Sequence, residues 1–145
     1  MAGLNPAMER LSVTLDRYNA FCASLPHTTT VVQCGGAHVW KVGGKVFAVA
    51  WPEANNALHV TFKASDMSYE MLKEKPGLRP APYFASRGMK WLQRTTGATL
   101  KDKAFEAYIR ESHRLVAAGL SRKLQKELGL AAPTDPQARS SRAKR

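Results

Sequence analysis

The sequence predicts a single α+β domain, and three observations predict it. An apolar stripe at helical spacing opens the chain, β-branched and alternating segments broken by glycine pairs fill its middle, and a second long helical stripe closes it. Helices set around an antiparallel sheet define the class. With 145 residues the chain can bury a core that needs neither disulfides nor a structural metal. Residues 1–130 are therefore assigned to one domain. Residues 131–145, AAPTDPQARSSRAKR, hold no large apolar side chain and are expected to form a disordered basic tail.

Each element has a local reason. Over residues 5–25, Asn5 is a cap, Pro6 suits the first helical position, and Met8, Leu11, Leu15, Tyr18, Cys22 and Leu25 make one stripe ended by Pro26. Thr28–Cys34 is short and β-branched, and Gly35-Gly36 ends it. His38–Val42 and Lys45–Trp51 flank Gly43-Gly44, a two-residue hairpin loop. Pairing Val42 with Lys45 then sets Trp40 opposite Phe47. Leu58, Val60 and Phe62 alternate with His59, Thr61 and Lys63, as in a strand with one wet face.

Ser65 or Asp66 caps a short helix reaching about Lys75, with Met67, Met71 and Leu72 turned inward. Residues 76–88 are too rich in proline and glycine for regular structure, and Lys90–Thr96 reads as a fifth strand. Thr99 and Asp102 resemble a capping box. Phe105, Tyr108, Ile109, Ser112, Leu115 and Val116 share a helical face, and Gly119 kinks that helix or splits it from a last one over Ser121–Leu128.

Catalytic patterns are absent. His27, His38, His59 and His113 have no metal-ligand spacing and read as surface or strand residues. Gly43-Gly44-Lys45 fails as a phosphate loop, because Val39 replaces its first glycine and Val46 its Ser or Thr. Cys22 and Cys34 form no CxxC, and Cys22 falls on the apolar stripe as a buried thiol. No secretory signal or run of spanning length is present. The expectation is a cytoplasmic protein that is not an enzyme, binds no metal or cofactor and does not insert into a membrane.

The charge is the strong signal. Twenty-two Lys plus Arg against eleven Asp plus Glu give a net +11, which favours polyanionic partners. Lys73, Lys75, Arg79, Arg87, Lys90 and Arg94 are opposed over 73–94 only by Glu74, and Tyr83, Phe84 and Trp91 lie among them. Cations can neutralise phosphates while aromatics stack on bases. The competing reading is that the aromatics anchor a long loop to the sheet. Strand parity adds Lys41, His59, Thr61 and Lys63 on one open face.

In order and spacing, FCASLP at 21–26, HVWKVGGKVFAVAW at 38–51, HVTFKAS at 59–65, PGLRPAPYFASRGMKWLQ at 76–93 and YIRESHRLV at 108–116 resemble the MmcQ/YjbR family. The resemblance implies a compact fold similar to type III secretion chaperones, a DNA-binding label and no established catalytic residues. It marks Lys45, Lys63, Arg79, Arg87 and Trp91 as surface candidates. One departure is His113 after Ser112, where members of the family often carry an aromatic.

The expected function is therefore phosphate-led nucleic-acid binding, DNA before RNA. The candidate residues are Lys41, Lys45, Lys63, Arg79, Arg87, Lys90, Trp91 and Arg94. The alternative is a protein-interaction or chaperone-like adaptor, for which a homodimer is an option.

Overall fold

The computed structural model describes residues 14–33, 35–54, 57–84 and 87–129. The expected Asn5 cap with Pro6, Cys34 and the tail lie outside the described residues. Helix α1 (Leu15–Ser24) is followed by β1 (Thr28–Gln33), β2 (Ala37–Val42), β3 (Lys45–Pro52) and β4 (Leu58–Lys63). Helix α2 (Asp66–Leu72), β5 (Leu78–Pro80), β6 (Trp91–Arg94), α3 (Asp102–Ala118) and α4 (Arg122–Leu128) complete the chain. The fold is α+β, with one antiparallel six-stranded sheet in the order β1-β2-β3-β4-β6-β5.

Helix α3 lies against β3 and β4 on one face of the sheet. Its Phe105, Ile109, Ser112 and Val116 meet Trp40, Ala48, Ala50, Val60, Phe62 and Leu92, all buried. The expected stripe of that helix is there, and Gly119 ends it before Ser121 caps α4. Helix α1 closes the same side: Tyr18 donates to the His38 carbonyl at 2.9 Å, and Trp40 Nε1 donates to Asn19 at 2.9 Å. Burial pushes the Cys22 thiol up to about 12, so it stays an inert core thiol.

The hairpin at Gly43-Gly44 forms as expected, both residues at positive φ. A Cβ on Gly43 would lie 2.5 Å from Leu120 Cδ1, so close packing as well as the turn requires glycine there. Val42 pairs with Lys45, but a bulge then shifts the register, so Trp40 faces Ala48 and not Phe47. Phe47 is the extra residue and turns into the core, where its ring meets His113 edge-on at 5.1 Å.

Ser112 answers the backbone groups this bulge disturbs. Its buried hydroxyl donates to the Phe47 carbonyl at 2.7 Å and accepts from Lys63 N–H at 2.9 Å. The same helical position therefore ties α3 to both β3 and β4.

Several other expectations are corrected. Residues 76–88 contain β5, a three-residue strand paired with β6, which its Pro80 ends at the sheet edge. Met67 and Met71 are exposed, because α2 buries only Leu72 and packs Tyr69 on the core. Lys101, not Thr99, caps α3 and makes no side-chain cap bond, and Asp102 instead meets Arg94 and Arg17. Glu106 pairs with Arg17 at 2.7 Å, and Arg110, four positions after it, lies over Phe21. His113 is no surface residue: it is buried, with Nε2 2.8 Å from the Pro26 carbonyl.

Two stability predictions follow from these contacts. Ser112→Ala leaves the Phe47 carbonyl and Lys63 N–H without their buried partner. That change costs about 1–3 kcal/mol for a group left unmet, measured by urea denaturation; a loss within error would contradict the clamp. Burial lowers the His113 pKa below its ordinary 6.5, so the folded state holds it neutral. Below about pH 6.5 the unfolded chain takes up the proton first, and stability falls as pH falls. His113→Phe flattens that slope between about pH 7.5 and 5.5 in thermal melts.

Candidate nucleic-acid interface

On the sheet face opposite α3 a groove of about 1010 Å³ runs past the hairpin end, where Val116 and Gly119 at the end of α3 also line it. Its floor follows from strand registers. Across the middle run Gln93, Thr61, Val49 and Val39 in neighbouring positions on β6, β4, β3 and β2. All four are buried, Thr61 at 1% exposure beneath the Gln93 amide that donates to it. Nearer the hairpin, Lys63 pairs with Trp91 and Lys41 with Val46. Lys41 and Lys63 stand on the two strands that flank β3. A third row carries His59 and Trp51, with Ala37 beyond them on β2.

One wall comes from the segment between β5 and β6. Phe84 stacks on Trp91 at 4.9 Å with an 18° interplanar angle, and Tyr83 meets Phe84 edge-on at 5.7 Å. Met89 completes this wall. Trp91 is thus buried beneath the segment, the anchoring role that the competing reading gave it, and cannot offer a face to a ligand. Tyr83 is different. It is 63% exposed, sits at φ 73°, and its ring lies under the Arg87 guanidinium, which donates to its hydroxyl. A non-glycine residue at positive φ stores about 1–3 kcal/mol, which the surrounding contacts must hold.

The eight candidate residues separate by partner. Lys41, Lys45, Lys63, Arg79 and Trp91 line the groove. Lys45 does so from the hairpin end, since its pair Val42 points into the core. Among the described residues, Lys41, Lys45, Lys63 and Arg79 form no ion pair. Arg79 is held instead by a neutral amide: Nε and one Nη donate to Gln93 Oε1 at 2.8 and 2.5 Å, and Gln93 Nε2 donates to Thr61 Oγ1 at 3.2 Å. The guanidinium is oriented but not neutralised.

The other three stand elsewhere. Arg87 reaches the groove only through Tyr83. Lys90 turns to α2, 3.5 Å from Glu70 and over the Tyr69 ring. Arg94 is 1% exposed on the core side, over Phe105, donating to the Leu100 carbonyl and paired with Asp102 at 3.3 Å. Burial lowers its pKa, opposed by Asp102. The expectation that nothing neutralises Lys90 and Arg94 is therefore corrected, because their acidic partners, Glu70 and Asp102, lie outside the segment 73–94.

Lining residues that sequence reasoning missed include Trp51, Glu53 and Gln93. Glu53 Oε2 stands 3.8 Å from His59 Nδ1, so the groove has one acidic corner. Among the described residues no cluster of three His, Cys, Asp or Glu could hold a metal ion. No helix among them is long and apolar enough to cross a membrane.

Comparisons with known proteins agree with this architecture. The family model described as YjbR matches residues 23–115. The crystal structure of Deinococcus radiodurans protein DR2400, described as a DUF419 domain, is similar in fold at 23% identity and a TM-score of 0.70, covering 81% of this chain and 89% of that one. No curated protein matches.

Proposed function

The chain belongs to the YjbR family, and on that premise we propose that it binds nucleic acid through the groove on the open face of its sheet. Contact is led by phosphates and involves no chemical step. The observation that carries the reading is that Lys41, Lys63 and Arg79 converge on one groove without a carboxylate partner among the described residues. Uncompensated cations in a cleft concentrate a polyanion and release its counterions on binding. Because Gln93 already orients Arg79, little side-chain order is lost when a phosphate arrives. DNA stands before RNA in this reading, and a reducing cytoplasm is the compartment that suits a buried thiol at Cys22.

Lys41→Ala, Lys63→Ala and Arg79→Ala should each weaken binding and each lower the log–log salt slope by about 1, read by fluorescence anisotropy from about 50 to 200 mM salt. Lys90→Ala, on the α2 side, should leave affinity within about twofold. Equal effects at Lys90 and Lys63 would contradict the groove as the site.

One observation favours the adaptor as a second reading. Strand β1, TTTVVQ, is an edge with no charge and no proline, and exposes Val31 at 41% and Val32 at 57%. Such an edge can accept another strand. In that reading a second copy pairs there, and Val32→Lys converts a dimer to a monomer in light scattering; a monomeric parent chain would exclude it.

A further inference from the structure

Resting on that reading, we infer that the groove takes a single strand of nucleic acid and not a duplex. Shape decides first. Duplex DNA is read by elements that protrude into its grooves, an α-helix or a two-stranded ribbon. Here Lys41 and Lys63 lie on a strand face, with the segment carrying Tyr83 along one side. A groove of this kind offers no such element to insert, whereas a flexible strand can follow it. The volume of about 1010 Å³ stands at the top of the range for small-ligand clefts, roughly 300–1,000 Å³, which suits a few nucleotides of flexible strand.

Charge then sets the direction. Lys41 and Lys63 lie at the hairpin end of the face, and Glu53 with His59 occupies the opposite end. His59 and Lys63 are four residues apart on β4, about 13 Å. Phosphates are drawn to the two lysines and repelled by Glu53, so the backbone crosses the strands along Lys41 and Lys63. Bases project toward the far row, where Trp51 is the half-buried aromatic of the floor. Base–aromatic stacking tolerates any sequence, which matches a site with few directional groups for reading base edges. Tyr83, rigidly held at the wall, offers a second stacking face.

The test uses the full chain with fluorescein-labelled eight-nucleotide dT and U strands and a sixteen-base-pair duplex at about 100 mM salt. Both single strands should bind at least about tenfold tighter than the duplex. Trp51→Ala should weaken single-strand binding about 5- to 150-fold, the loss of one stacked base, while Trp51→Phe retains most of it. Tyr83→Ala, away from the core, serves if Trp51→Ala unfolds, and should also weaken the single strand. Duplex binding as tight as single-strand binding, still sensitive to Lys41→Ala and Lys63→Ala, would overturn the inference and keep the nucleic-acid reading. No binding of any probe would overturn both. Single-strand binding indifferent to Trp51→Ala and Tyr83→Ala would overturn the stacking geometry.

Discussion

The open face of this sheet depends on one hydroxyl, Ser112 Oγ, placed between the Phe47 carbonyl and Lys63 N–H. In an unbroken strand, Val46 and Val49 would point to opposite faces, because they are three residues apart. The bulge at Phe47 inserts one residue and restores both to the groove, while Phe47 and Ala48 both enter the core. A bulge leaves backbone groups without ladder partners, and burying them unmet costs about 1–3 kcal/mol. Ser112 meets them, from the centre of the helix that covers the opposite face. The register that aligns Lys41 with Val46, and Lys63 with Trp91, is held at that point.

Positive charge divides according to what the fold sets beside it. Arg94 stands on the core face and is satisfied by Leu100 and Asp102; an ion pair so buried is weak grounds for stability, but removing one partner would be costly. Lys90 and Lys73 share Glu70 at the surface, a pair of contacts worth little. In the groove the supports are neutral: an amide and a threonine hydroxyl orient Arg79, and valines pack beneath the lysines. The groove carries one carboxylate, Glu53, at the far end beside His59.

Much of the fold was legible because local chemistry and global placement agree. Gly43-Gly44 between apolar runs could only be a tight hairpin, the Leu58–Lys63 alternation fixed a face, and the Phe105–Val116 stripe fixed the covering helix. The bulge was not legible, since Trp40 and Phe47 looked like an ordinary pair and the residue that stabilises the irregularity lies 65 positions later. Strand β5 was hidden by the prolines and glycines around three residues. Among the candidate cations, parity held the missing signal. In β6, Gln93 registers with Thr61 on the open face, so its neighbour Arg94 had to join Leu92's opposite side with its pair Val60. Arg79 pairs with Gln93 and so faces the groove, which required knowing that β5 exists.

The most direct measurement is a nitrogen-15 NMR titration of the full chain with an unlabelled oligonucleotide, following backbone amides and the Trp51 indole together. The account predicts shifts concentrated at Lys41, Val46, Lys63 and Arg79 and at the Trp51 side chain, with Lys90 and Arg94 quiet except through neighbours. Shifts confined to residues 131–145, or centred on α2, would contradict it.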